Sequence, residues 1–225
     1  MEGLAGVVLL TLEVAAAATA LILVPGIAVG GALARPGWRG QLLVETLVTL
    51  PLVLPPTAVG LALLVALGTG SPLGAFLHDT LGIEIAFTRR AVVLACAVVA
   101  FPLLVRSVRS ALEEVDPELV AVARSLGRSP LAAFFEVELP VAWRGVLAGA
   151  VLAFTRSLGE FGATIVVAGN IPGRTQTLAL AIFQRIQVGR EREALALAGI
   201  AALLAFAALL WAERLASGRA RTLDR

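Results

Sequence analysis

The sequence contains neither lysine nor tyrosine, and only one cysteine and one histidine occur among its 225 residues. Without lysine the chain cannot form a Walker-type phosphate loop, because the lysine of that loop reaches the nucleotide phosphates. A single cysteine excludes an internal disulfide, and Cys96 with the distant His78 does not form the ligand set of a protein metal site. The sequence therefore predicts no ATP hydrolysis by a phosphate loop, no disulfide framework and no bound metal.

Charged residues are also scarce. They make up 15% of the chain, whereas 59% of its residues are hydrophobic. A soluble domain is usually about 45–50% apolar and about 25% charged, so this composition predicts a polytopic membrane protein. The N-terminal apolar run lacks a basic start and is too long for a secretory signal. We therefore expect it to be retained as a membrane span.

Five apolar segments approach the roughly 20 residues that a helix needs to cross the hydrocarbon core. They lie at residues 10–33, 42–67, 89–107, 144–167 and 194–214. Short helices are expected in two of the connections, within residues 68–90 and at residues 177–186. The sequence thus predicts one all-α transmembrane domain over residues 1–225, with five spans.

All 18 basic residues are arginines, and their placement orients the chain because arginine is enriched in cytoplasmic loops. With the N-terminus outside, eleven face the cytoplasm: Arg35, Arg39, Arg106, Arg109, Arg124, Arg128, Arg144, Arg214, Arg219, Arg221 and Arg225. Six face outward: Arg89, Arg90, Arg174, Arg185, Arg190 and Arg192. The excess predicts an external N-terminus and a cytoplasmic C-terminus.

A polar segment, residues 112–140, interrupts the apolar sequence between the third and fourth spans. Asp116 followed by proline starts one helix, and Gly127 ends it. Ser129 followed by proline starts a second helix, which Leu139–Pro140 is expected to end before the fourth span. The segment predicts a helix–turn–helix on the cytoplasmic surface. It is either a site for a partner protein or an amphipathic helix on the membrane.

Two ionisable residues, Arg156 and Glu160, lie inside the otherwise apolar fourth span. An ionised side chain near the bilayer centre costs at least about 2.5–3.5 kcal/mol, so these two are expected to pair and to face the protein interior or a water-filled path. Gly159 and Gly162 favour a break here, and the N–H groups of a broken helix suit an anion. The pair is thus either purely structural or part of a translocation pathway.

Three prolines make the second span irregular. Pro51, Pro55 and Pro56 cannot all lie in one straight helix, because proline removes a hydrogen bond and clashes with the preceding turn. Carbonyl groups released at membrane depth need partners in the protein or in water. We expect this kinked segment to line the same cavity as the fourth span. The alternative is a plain structural kink.

Four stretches resemble the permeases of molybdate ABC importers. They are LPLVLPPTAVG from residue 50, FPLLVRSVRSALEEVDPEL from residue 101, ARSLGRSPLAAFFEVELP from residue 123 and LAFTRSLGEFGATIVVAGNIPGRTQTLALAIF from residue 152. The most specific parts are SLGEFGAT and NIPG, which are typical of oxyanion permeases. Residues 121–140 are also similar to the coupling loop of ABC importer permeases, with the pattern E-A-A, three residues, Gly, nine residues, I-x-L-P. Ala121 stands where that pattern has glutamate.

The resemblance implies a type I ABC importer permease fold in which the helix–turn–helix is a coupling loop that contacts an ATPase. The residues implied in ATPase coupling are Glu118, Ala121, Ala123, Arg124, Gly127, Ser129, Leu139 and Pro140. Those implied in the translocation pathway or its gate are Pro55, Pro56, Arg156, Ser157, Gly159, Glu160, Phe161, Gly162 and Thr164. Glu118 and Arg124 are the candidates to replace the contact of the missing glutamate.

The same resemblance implies the partners. It implies a homodimer of permease chains in the inner membrane, two ATPase subunits that carry ATP and magnesium, and a periplasmic or lipid-anchored molybdate-binding protein. The chain itself is then not an enzyme, binds no cofactor and has no nucleic-acid partner. The alternatives are a permease for tungstate, sulfate or an amino acid, and a secondary transporter. A serine protease built on Ser157 and His78 is disfavoured, because the sequence has no G-x-S-x-G motif.

Overall fold

The computed structural model describes residues 2–35 and 37–217, and these residues form helices and connecting loops without a strand. The helices are α1 (Glu2–Leu33), α2 (Gln41–Val53), α3 (Pro56–Leu67), α4 (Pro72–Leu81), α5 (Arg89–Glu113), α6 (Pro117–Ser125), α7 (Pro130–Ala133), a π-helical turn (Phe134–Glu138), α8 (Leu139–Leu158), α9 (Gly162–Val167), α10 (Leu178–Gln187) and α11 (Glu191–Ser217). The predicted all-α membrane fold is confirmed. Three arginines used to orient the chain, Arg219, Arg221 and Arg225, lie outside the described residues.

Four helical stretches are long and apolar enough to cross a membrane. They are Gly3–Leu33, Arg89–Glu113, Pro130–Leu158 and Glu191–Trp211. α2 and α3 pass the same test as a pair, but they are bent by 112°. The second predicted span is therefore two helices joined at Leu54 and Pro55, as its prolines indicate. α4 and α10 occupy the two connections in which short helices are expected.

Ion pairs mark the two ends of the helix bundle. At one end, called the Arg109 end, Arg109 near the C-terminus of α5 lies 2.7 Å from Glu45 of α2. At the other, the Arg89 end, Arg89 at the start of α5 lies 3.8 Å from Glu13 of α1. The chain therefore passes from one end to the other between residues 45 and 89. The described residues thus provide four crossings, or five if the bent α2–α3 pair counts as one, and the predicted five stays a prediction.

The bundle core relies on small residues that let helices approach closely, as is typical of membrane helix interfaces. A Cβ atom added to Gly30 of α1 would lie 2.7 Å from the Val108 side chain of α5. One added to Gly149 of α8 would lie 2.5 Å from the side chain of Ser107, also in α5. Helix α5 is thereby enclosed between α1 and α8, and it supports the first part of the fourth crossing.

The second helix of the polar segment does not end at Leu139–Pro140, so that prediction is wrong. Helix α7 runs through the π-helical turn directly into α8. The N–H of Leu139 bonds to the carbonyl oxygen of Phe134, one residue further back than in an α-helix. This wider turn accommodates the proline ring where an α-helical turn would clash with it. The helix that makes the fourth crossing therefore begins at Pro130.

Candidate translocation pathway and coupling surface

The fourth crossing is broken where the sequence predicts a break. α8 ends at Leu158 and α9 begins at Gly162, so three residues lie between two helices. The N–H of Glu160 bonds to the carbonyl oxygen of Ser157 at 3.2 Å and closes the last turn of α8. Gly159 is exposed, and no other atom lies within 4 Å of the position that a Cβ atom would take there. The link between the helices is thus open on the side of Gly159.

The Glu160 carboxylate joins the two helices across this break. Oε2 lies 2.9 Å from Nη2 of Arg156 in α8, and Oε1 accepts a hydrogen bond from the N–H of Ala163 in α9 at 2.8 Å. The Glu160 side chain is 1% exposed, whereas that of Arg156 is 32% exposed. A charge buried this deeply needs polar partners, and here Oε1 has a hydrogen bond while Oε2 has the ion pair with Arg156. The expected ion pair is present. The Glu160 carboxylate also accepts a hydrogen bond from one of the N–H groups that the sequence predicts to be available to an anion.

The two helix breaks lie against each other. A Cβ atom on Gly162 of α9 would lie 2.7 Å from Cβ of Pro56, and one on Gly60 of α3 would lie 2.5 Å from the carbonyl oxygen of Ala163. α3 and α9 thus meet backbone to backbone, because glycine leaves no side chain between them. Pro55 and Pro56 are exposed beside this contact. The two broken crossings form one unit, whose role as a pathway stays a prediction.

Three other residues implied in the pathway are held by contacts within the chain. Ser157 is buried, and its hydroxyl donates to the carbonyl oxygen of Ala153 at 2.9 Å. Thr164 is buried, and its Oγ1 has no hydrogen-bond partner among the described residues. The Phe161 ring packs against Phe183 with the centroids 4.8 Å apart. Ser157 and Thr164 therefore pack the interior of the single chain and do not line its exposed surface.

A cavity of about 280 Å³ adjoins the break at Gly159. It lies between α1, α8, α10 and α11, and small residues such as Ala201 and Ala205 form much of its wall. Its polar lining includes Thr11, whose hydroxyl accepts the N–H of Leu178 at 2.8 Å. The cavity leaves empty space beside the link between α8 and α9.

The polar segment forms the helix caps that its sequence predicts. Oδ1 of Asp116 accepts the N–H of Glu118 at 2.8 Å at the start of α6. Gly127 adopts φ +84°, a left-handed conformation that glycine reaches without strain, and it ends that helix. Oγ of Ser129 accepts the N–H of Ala132 at 3.1 Å at the start of α7. Two helices joined by a turn therefore lead into the fourth crossing.

The outer face of α6 and the turn after it is apolar. Its large members are 47–78% exposed and form a surface that we call the α6 patch: Leu119, Val122, Leu126 and Leu131. Exposed apolar patches with polar surroundings mark interaction sites. Ala123 is only 8% exposed and packs inward, which corrects the expectation that it faces a partner. The other residues implied in coupling are exposed or, for Leu139, partly buried: Glu118, Ala121, Arg124, Gly127, Ser129, Leu139 and Pro140.

Two ion pairs fix the position of the polar segment. Arg35, just after α1, lies 3.4 Å from Glu138, and its guanidinium lies 5.7 Å from the centre of the Phe134 ring. Arg128 lies 3.1 Å from Glu136 across the turn. The sequence carries no local signal for the Arg35–Glu138 pair, because its members are 103 residues apart. The α6 patch is thus attached to α1 as well as to α8.

A family profile matches residues 26–220, and its description is "Binding-protein-dependent transport system inner membrane component". The chain belongs to this family. It is 46% identical to the "Molybdenum transport system permease protein ModB" of Escherichia coli (strain K12), with 93% of this chain and 92% of the relative covered. The ModB protein of Haemophilus influenzae is 43% identical, with 91% and 90% covered. These relatives confirm the predicted resemblance to molybdate permeases.

The fold of this inner membrane component also occurs in a solved ABC transporter. An inward-facing structure of the MetNI methionine ABC transporter matches it with a TM-score of 0.71. The match covers 96% of this chain and 97% of the other, at 21% sequence identity. At that identity the similarity establishes the fold alone, and it confirms the expected ABC importer permease architecture.

The single histidine of this inner membrane component gives a prediction about pH. Nδ1 of His78 in α4 lies 3.0 Å from Asp79, and Nε2 lies 3.5 Å from Glu84. The hydrogen bond to Asp79, followed by the charges of both carboxylates, raises the pKa of His78 above its ordinary value. Folding therefore favours the protonated ring. The resulting stabilisation is complete below the ordinary value of about 6.5 and is lost as the pH rises through the higher folded pKa.

NMR of the histidine-labelled protein measures this titration directly, because one histidine gives one set of ring signals. We expect a midpoint above that of a histidine in an unfolded peptide. Asp79→Asn should move the midpoint down, because it removes the charged acceptor. A wild-type midpoint at or below the peptide value would contradict the assignment.

Proposed function

We propose that this chain is the transmembrane permease subunit of an ABC importer for molybdate. The 46% identity to a molybdenum transport permease across 93% of the chain carries the proposal. The SLGEFGAT signature supports it, because it coincides with the broken fourth crossing, where a transport site is expected. The chain performs no hydrolysis and binds no cofactor, since ATP and magnesium belong to a separate ATPase subunit.

The assembly that we propose has two permease chains, two ATPase subunits and an external molybdate-binding protein. The N-terminus is outside, so the Arg109 end of the bundle faces the cytoplasm in the inner membrane. The arginine asymmetry and the α6 patch support this orientation, because an ATPase would find an exposed apolar surface at that end. Glu118 is the better candidate for the missing glutamate of the coupling pattern, since the guanidinium of Arg124 already donates to the carbonyl oxygen of Arg128 at 2.8 Å.

The proposed pathway runs past the exposed side of the two broken crossings. Arg156, Gly159, Pro55 and Pro56 present the accessible groups there. A dianion that must leave quickly is served by a weakly polar surface, because a tight site would slow release. Arg156 contributes a cation whose charge is largely balanced by Glu160. Normal uptake by folded Arg156→Ala would remove the direct role of Arg156 in anion passage.

Uptake of labelled molybdate by proteoliposomes that contain the permease, the ATPase and the binding protein tests the function. We expect ATP-dependent uptake that excess sulfate does not suppress. Suppression by sulfate or tungstate would reassign the substrate among the oxyanions. Uptake without ATP and without a bound ATPase subunit would contradict the ABC assignment and would favour a secondary transporter.

A further inference from the structure

Ala163 connects the two broken crossings through its backbone alone. Its N–H donates to Glu160 at 2.8 Å. Its carbonyl oxygen packs against Gly60 of α3, so closely that a Cβ atom on Gly60 would lie 2.5 Å from it. Glu160 in turn is held to α8 by Arg156 at 2.9 Å. A continuous set of contacts therefore leads from α8 through a carboxylate to α9, and from α9 to α3.

We propose that Glu160 is a positioning residue of the transport cycle, which fixes the angle between α8 and α9 and thereby the place of α3. The link between α8 and α9 is short and contains Gly159. No neighbouring atom restrains Gly159 on its open side, so the Glu160 carboxylate is what holds the link. The cavity beside Gly159 gives the link space to move. The ion pair and the hydrogen bond together keep the link in one geometry.

The geometry of Glu160 does not suit direct contact with the transported anion. Its side chain is 1% exposed, and both of its oxygens are engaged. A carboxylate would also repel an oxyanion at short range. The contact between α3 and α9 is made by backbone atoms at Gly60 and Ala163, so a displaced α9 cannot leave α3 in place. Glu160 acts through the helices that it joins.

Cys96 provides a native reporter for this arrangement. It is the only cysteine of the chain, it is 1% exposed, and its Sγ lies 3.7 Å from the carbonyl oxygen of Ser157 at the end of α8. A small thiol reagent modifies such a group only when the packing around it opens. The rate of Cys96 modification is followed by mass spectrometry of this chain. It reports opening beside the break where it rises in both Glu160→Gln and Arg156→Gln, because these two variants remove nearby charges of opposite sign.

The test compares Glu160→Gln with the wild type in the assembled transporter. Glutamine still accepts the N–H of Ala163 but loses the ion pair with Arg156. We expect Cys96 to be modified roughly tenfold faster, because local opening is easier. Maximal molybdate uptake should fall roughly tenfold while KM stays within about twofold, because the variant changes a step after substrate capture.

A matched control is available in the same protein. Glu113 lies four residues after Arg109, as Glu160 does after Arg156, and the two side chains are 2.7 Å apart. The Glu113 side chain is 46% exposed and lies far from the break. Glu113→Gln should leave the Cys96 modification rate unchanged.

Arg156→Gln gives an independent version of the test and serves if Glu160→Gln does not assemble. In the labelling readout both variants act through one contact, so the double variant should be modified no faster than either single variant. Unchanged Cys96 modification in both single variants would overturn the proposal, and so would a raised KM with unchanged modification. The labelling comparison needs no molybdate. The uptake readout, in contrast, rests on the proposed substrate. Lack of molybdate uptake by the wild type would contradict that substrate, and the labelling comparison alone would then decide the role of Glu160.

Discussion

Gly60→Ala will reduce transport by roughly tenfold or more, because overpacking of this kind costs about 1–3 kcal/mol. The added Cβ would lie 2.5 Å from the carbonyl oxygen of Ala163 and 2.8 Å from its Cα. Both are backbone atoms of α9, so no side chain can rotate away to make room. Helix α3 must separate from α9, and the unit formed by the two broken crossings is lost. ATP-dependent uptake in proteoliposomes measures the effect.

Gly199→Ala is the matched control. Gly199 lies within α11, and nothing lies within 4 Å of the position of its added Cβ atom. Alanine is the better helix former by roughly 0.5–1 kcal/mol, so the control should fold at least as well as the wild type. Equal uptake by Gly60→Ala and Gly199→Ala would show that transport does not need the backbone contact between α3 and α9.

Leu126→Asp will weaken binding of the ATPase subunit by roughly 30-fold, the effect of removing an interface hot spot worth about 2 kcal/mol. Leu126 is 78% exposed at the end of α6, in the middle of the α6 patch. An aspartate there would place an unpaired charge in an apolar contact, whereas in the free permease it would remain in water. Co-purification of the ATPase with the permease, followed across a concentration series, gives the change in affinity.

Leu81→Asp is the control for this prediction. Leu81 is 57% exposed at the end of α4, which precedes the Arg89 end of the bundle, and an ATPase docked at the Arg109 end does not reach it. Gly127→Asp tests the turn itself, because Gly127 has φ +84° and an aspartate there adds both strain and charge. ATP hydrolysis that remains coupled to uptake in Gly127→Asp would remove the coupling role from residues 118–140.

The elements that the sequence predicts well are those set by short-range chemistry. The helix start at Asp116, the left-handed glycine at Gly127 and the second start at Ser129 each depend on hydrogen bonds within four residues. The breaks near Pro55 and Gly159 follow from residues that disfavour a continuous helix. The Arg156–Glu160 pair agrees with its spacing of four, because the turn that closes α8 keeps Glu160 on the side of Arg156.

The features that the sequence does not predict concern the neighbours of a residue. Ala123 carries a small side chain that suits a partner, yet the rotation of α6 turns it inward. A proline such as Pro140 usually ends or kinks a helix, but a π-helical turn just before it lets this helix continue. Ser157 and Thr164 are polar residues of the signature motif, and the packing of α8 and α9 buries both. Each outcome depends on how a helix is rotated and what packs beside it, which its own sequence does not state.

The sequence by itself determined the class of this protein, its long apolar helices, the two helix breaks and the caps of the polar segment. Apolar length, proline, glycine and capping residues act through the nearby backbone or the surrounding lipid, so their effects can be derived in chain order. Only the tertiary structure decided that Gly60 meets Ala163, that Arg35 holds Glu138 and that Glu160 occupies the N–H of α9. The first two contacts arise when segments distant in the chain pack together. The third depends on how the break sets α9 against α8.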